Sequence, residues 1–260
     1  MRVTFECFRT LRERHQCPAS IRDRRRFLLG LTSAIGSLMI ERAAGAIPPP
    51  SETGLPFEGL LKGRPGFQPR KLAPRPFRSI PGFLSEPQID AIYASYRKAF
   101  AQLLAAETSL QGASRTPENA AHYAKLRETQ LSSANCVLLH EFYFGNLALH
   151  KTSPSEYVIA NLREHMGSFE SWRDDFVACA RVAHAWVALI YDPYDDRWHN
   201  VPLGADDAGG WVGSNPLLVC AVYPAAYQID YSTREQCVKA FFERIDWNAV
   251  GRRYYAVDRH

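Results

Sequence analysis

The stretch PLLVCAVYPAAYQIDYSTREQCVKAFFERIDWNAVGRRYY, Pro216 to Tyr255, decides how the rest of the chain is read. It opens on an apolar run, Leu217 to Val222, with the length of a buried strand. A turn follows at Tyr223-Pro224. Ser232-Thr233-Arg234-Glu235 sets a hydroxyl three residues ahead of a carboxylate, which predicts a capping box. Val238, Phe241, Phe242 and Ile245 then recur at helical spacing, and the stretch closes on Asp246-Trp247-Asn248.

Upstream, helices alternate with short breaks. Ser85-Glu86-Pro87-Gln88 predicts a capped helix over 84–106, with proline in the first turn, where its missing N–H is harmless. Ile89, Ile92, Tyr93, Tyr96, Phe100, Leu103 and Leu104 share its apolar face. Residues 116–131 predict a second helix, opened by Thr116-Pro117-Glu118, and 134–150 a third. Ser153-Pro154-Ser155-Glu156 opens a fourth, to His165. Ala183 to Leu189 begins a first strand, and a second is expected from Tyr194 to Asn200 after the turn Asp192-Pro193. Asp206 to Asn215 reads as a Gly/Asp-rich loop.

Four stretches together carry a resemblance to the iron/manganese superoxide dismutases. Ala221 to Tyr231 and Trp247 follow the family's D-V-W-E-H-A-Y-Y-x-x-Y and later N-W. Leu139 to Leu147 resembles N-H-x-x-F-W-x-N-L, with Leu139 in place of the asparagine, His140 on the histidine, and Tyr143, Phe144, Asn146 and Leu147 on the aromatic wall and the N-L signature. Met166 to Trp172 resembles F-G-S-F-D/E, and Ala183 to Leu189 loosely resembles G-S-G-W-x-W-L. The resemblance covers about residues 72–257. It implies an α+β fold: an N-terminal helical hairpin, then an α/β domain with a three-stranded antiparallel sheet. The hairpin domain is expected over 72–150 and the α/β domain over 151–260.

The same alignment implies a metal site that this chain has largely lost. The family holds iron or manganese on three histidines and one aspartate. Those positions read Ile92, His140, Ala221 and Ala225 here, so His140 is the retained ligand position. The flanks Leu217-Leu218, Ala226-Tyr227, Tyr231 and Trp247 fix the register without gaps, and no histidine lies between Asn200 and Arg259. Positions around the metal differ as well. Tyr96 replaces a histidine, Phe100 the gateway tyrosine, and Cys136 stands where iron-type members carry glutamine. Tyr223 replaces tryptophan, and Pro224 replaces the glutamate that bridges to the histidine position across a dimer. The expectation is a catalytically inactive homologue with no bound cofactor, and an apolar region around His140. Iron or manganese follows only if the family function is kept.

Two alternatives stand beside that reading. One is an active dismutase with displaced ligands. The other is a remodelled zinc, copper or redox site on Cys136, His140 and His184, because Cys136 and His140 share a helix face at i, i+4. The plain counterpart is a buried thiol, with the histidine bonded to backbone or to a tyrosine hydroxyl. Asp192, Asp195, Asp196, Asp206 and Asp207 read most simply as solvated loop acids. No G-x-S-x-G, phosphate-cradling glycine loop or H-E-x-x-H is present.

Residues 1–46 read as a twin-arginine signal. Arg24-Arg25-Arg26-Phe27-Leu28 precedes an apolar run to Ile40, short for a membrane span, and Ala44-Gly45-Ala46 offers a cleavage site. Export to a bacterial periplasm is the expectation. That segment holds nine arginines and four acids, so the chain's 31 basic and 27 acidic residues fall to 22 and 23 without it. The net charge of +4 belongs to the signal and gives no ground for nucleic acid as a partner. Residues 47–71 read as a proline-rich linker, part of a 47–82 run holding nine of the 17 prolines. Cys136, Cys179, Cys220 and Cys237 remain after the signal, with no C-x-x-C pair, and read mostly as small buried residues. The partners implied are a second copy of the chain and an unidentified protein or small molecule, with no membrane span in the mature chain.

Overall fold

The computed structural model describes residues 71–204 and 210–258, all within one compact unit. The signal-like segment and most of the proline-rich linker lie outside the described residues, as do Asp206 and Asp207. The order is helix α1 (Glu86–Gly112), α2 (Ala120–Phe144), α3 (Glu156–Met166) and α4 (Phe169–Val182), then strands β1 (Trp186–Asp192), β2 (Arg197–Leu203) and β3 (Asn215–Ala221), and finally α5 (Arg234–Phe242) and α6 (Trp247–Val257). The strands form one antiparallel sheet in the order β2-β1-β3. A helical pair followed by an α/β domain with a three-stranded antiparallel sheet is the architecture the resemblance implied.

α1 and α2 pack against one another and α2 reaches β3, while α4 covers β1 and β2. β1, the central strand, is buried along its whole length. That fits its unbroken apolar run, WVALIY, with helices and neighbouring strands on every side.

Four predicted boundaries are corrected. The second and third helices are one, of 25 residues, preceded only by a 3-10 turn at Pro117–Asn119. No Gly or Pro occurs from Ala120 to Phe144, so Ser132-Ser133 does not break the backbone. The capping box of α5 sits one residue later than predicted. Thr233 Oγ1 accepts from the Gln236 amide, and Gln236 Oε1 accepts from the Thr233 amide. α3 is capped by Ser155 rather than Ser153. The second strand is Arg197–Leu203, and Tyr194 stands in the preceding turn, 91% exposed.

A lock of polar groups closes the frame behind the sheet. The β1–β3 register skips Leu217, because Leu189 pairs with Leu218 and Ile190 with Pro216. Pro216 has no N–H for the ladder, and a bulge absorbs the mismatch. The Leu217 carbonyl accepts instead from the Arg253 guanidinium at 2.8 Å. Arg253, buried, also donates to the Phe142 carbonyl and lies over the Phe142 ring. Burial lowers it to about 9, so it stays charged at neutral pH. Asn146 completes the lock. Its Oδ1 accepts from the Val219 amide and its backbone carbonyl from the Asp246 amide, both at 2.9 Å.

Candidate metal centre

The site region lies where α1, α2 and the segment after β3 converge. Gln88 is fully buried on α1 and ties that segment down. Its Nε2 donates to the Ala225 carbonyl at 2.7 Å, and its Oε1 accepts from the Ile229 amide at 3.0 Å. Asp230 accepts from the Ser85 amide, and the Tyr231 hydroxyl donates to the Phe83 carbonyl. Gln88 was predicted to close a capping box with Ser85. Ser85 does accept from the Gln88 amide, but the Gln88 side chain is used across the fold.

His140 sits near the C-terminal end of α2, 1% exposed. Its Nδ1 lies 2.8 Å from the Cys136 carbonyl. A carbonyl only accepts, so Nδ1 carries the proton and Nε2 is left as the acceptor. The Tyr223 hydroxyl fills that role, donating to Nε2 at 2.9 Å. Both ring nitrogens are therefore engaged by protein groups. Burial away from water pushes the imidazole down to about 4, so it is neutral at physiological pH. The Trp186 ring stands edge-on to it at 4.8 Å, and the Tyr96 ring lies 6.0 Å away.

The other aligned positions fall around this histidine to different degrees. Ala221 is buried and pairs with Trp186 in the β1–β3 register. Ile92 is fully buried one helical turn before Tyr96 on α1. Phe100 is half-buried, its ring 6.3 Å from that of Tyr96. Ala225 departs from the expectation. It lies with Pro224 on a 3-10 turn, Pro224–Ala226, and both are exposed in the single chain. The surroundings are apolar at Ile92, Ala221 and Trp186, and Tyr223 adds the tyrosine hydroxyl of the plain counterpart. Isoleucine and alanine side chains carry no lone pair for a metal, and the imidazole's own lone pair faces Tyr223. These residues do not fit an iron or manganese ion.

Tyr96 is tied inward. Its hydroxyl donates to Glu141 Oε1 at 2.9 Å and accepts from the Ala73 amide at 3.1 Å. Burial raises its pKa well above the ordinary tyrosine value.

The remodelled thiolate–imidazole site is brought together in part. Cys136 Sγ is 3.6 Å from His140 Nδ1, but His184 is exposed in the connection from α4 to β1. What the structure shows at Cys136 and His140 is the plain counterpart, a histidine bonded to a backbone carbonyl and a tyrosine hydroxyl. The acids of the β1–β2 turn also need correction. Asp192 is 4% exposed and is not a solvated loop acid. Among the described residues, the group of three or more potential ligand side chains within 4.8 Å of one another is Asp192, Asp195 and His199.

The fold and the aligned frame define a dismutase-like protein, and comparison with known proteins agrees. The profile of the iron/manganese superoxide dismutases, C-terminal domain, matches residues 154–253. An iron superoxide dismutase of Aquifex aeolicus is 29% identical over 193 residues, which cover 72% of this chain and 91% of that protein. A manganese superoxide dismutase of Haloferax volcanii is 34% identical over 119 residues, 45% of this chain. The match spans 60% of that halophile relative's length. The chain is thus similar to the iron/manganese superoxide dismutases along most of its described length.

Proposed function

We propose that this chain is an exported, catalytically silent dismutase homologue that serves as a binding or scaffold protein. One observation carries the reading: the retained ligand position, His140, has its Nε2 occupied by the Tyr223 hydroxyl, while Ile92, Ala221 and Ala225 supply no donor. Dismutation needs a metal that cycles between two oxidation states with a coordination position open to substrate. One neutral imidazole, already bonded at both nitrogens, does not hold such an ion. Purified protein, produced with iron or manganese in the medium, should carry neither in stoichiometric amount by elemental analysis. It should also show no superoxide dismutation above the free ion. Stoichiometric iron or manganese accompanied by activity would overturn the proposal.

A second reading rests on the 3.6 Å approach of Cys136 to His140, as part of a zinc or copper site. It requires bound zinc or copper that disappears in Cys136→Ser. Self-association as a homodimer, which the resemblance implies, must proceed without the family's bridge across the interface. Tyr96 is bonded within its own chain, and position 224 is proline.

Export is part of the proposal and rests on Arg24-Arg25 and the small residues ending at Ala46. Changing both arginines to lysine should leave unprocessed precursor inside the cell, read by fractionation. Continued export of that variant would rule out the twin-arginine route.

A further inference from the structure

We propose that the β1–β2 hairpin carries a zinc site, separate from the aligned dismutase position, on Asp192, Asp195 and His199. The register brings these residues together. Asp192 pairs with Arg197, and Ile190 with His199. Side chains alternate along a strand, so Asp192 and His199 lie on the same face, one pair apart on the diagonal. The turn delivers Asp195 four residues before His199, with Asp195 Oδ2 at 2.8 Å from His199 Nε2. The ligand atoms of all three residues lie within 4.8 Å of one another. Two carboxylate oxygens and an imidazole nitrogen around one ion sit roughly 3–3.5 Å apart, given metal–ligand distances of about 2.0–2.2 Å. Closure therefore needs only side-chain rotation at a hairpin end.

The charge balance points the same way. Asp192 is 4% exposed, yet its hydrogen-bond partner is a neutral group, the Tyr194 amide, at 2.9 Å from Oδ1. Among the described residues, no Lys, Arg or His nitrogen forms an ion pair with it; His199 pairs with Asp195 instead. A buried carboxylate without a counter-ion is costly, and a cation at this position would relieve that cost. Trp211 stacks on His199 at 4.7 Å and 23°, which holds the imidazole plane. One nitrogen with two carboxylates suits a transition ion such as zinc better than calcium or magnesium, which favour all-oxygen shells. Water would complete the coordination.

The test is zinc chloride titrated calorimetrically into the purified chain after chelator treatment and dialysis. The expected result is one zinc per chain, with affinity reduced at least about tenfold in His199→Ala and in Asp195→Asn, a change of about 1.4 kcal/mol or more. Asp195→Asn keeps the oxygen that accepts from the Arg197 amide, so the turn should survive. Cys136→Ser is the control for zinc taken up beside His140 and should bind as the unmodified chain does. No zinc binding would overturn the site. So would binding that persists in His199→Ala, or that is lost in Cys136→Ser. None of these outcomes bears on whether the dismutase position is silent.

Discussion

A chain carrying Ile92→His, Ala221→Asp, Ala225→His and Tyr223→Trp should bind iron or manganese about a thousandfold more tightly than the unmodified protein, a gain of roughly 4 kcal/mol. Three substitutions return the missing donors. The fourth removes the hydroxyl that now sits on His140 Nε2. The frame around these positions is in place: Ala221 opposes Trp186 in the sheet, and Gln88 anchors the turn that carries residue 225. The version without Tyr223→Trp should bind more weakly than the full set, because the imidazole keeps its competing partner. Activity should recover less than binding, since Phe100 and Cys136 still differ from the family pattern. Equal metal uptake by the unmodified chain and the rebuilt one, measured by elemental analysis after dialysis, would show that the register or the silent reading is wrong.

Acid should weaken the fold through His140. Its folded value, about 4, lies below the ordinary 6.5 because burial disfavours the charged ring. Above pH 6.5 the residue is neutral in both folded and unfolded states and costs nothing. As pH falls below 6.5, the unfolded chain takes up the proton and the folded one does not. Stability therefore drops progressively until about pH 4, by about 3 kcal/mol from this residue alone. Urea unfolding at pH 7 and at pH 4 should show the full drop in the native sequence. The drop should be smaller by about that amount in His140→Gln, which cannot titrate. An unchanged pH dependence in that variant would mean that water reaches the ring.

Much of this was legible in the residues. The sheet, the helical pair and the C-terminal helices followed from periodicity and from the dismutase-like frame. The aligned ligand positions were read from register, fixed by a strand and two aromatic anchors. The errors were of a different kind. Ser232 and Thr233 both satisfy the capping pattern, with Glu235 and Gln236 respectively, and local sequence does not choose between them. The exposure of Ala225 depends on Gln88, which lies 137 positions away in the chain. No period or propensity carries that information. The capture of His140 by Tyr223 spans 83 positions. Its only local trace is a hydroxyl on an aromatic residue where the family pattern has tryptophan. The burial of Asp192 was missed because a loop acid and a strand-end acid look alike until β1 is known to be the central strand.

The lock formed by Asn146 and Arg253 has an evolutionary consequence. It joins α2, β3 and α6 through amide, carbonyl and guanidinium groups, none of which belongs to the aligned metal positions. The shape of the molecule and the chemistry at its centre are thus written in separate sets of residues. For the silent homologue proposed above, selection on catalysis can relax at one set while descent preserves the other.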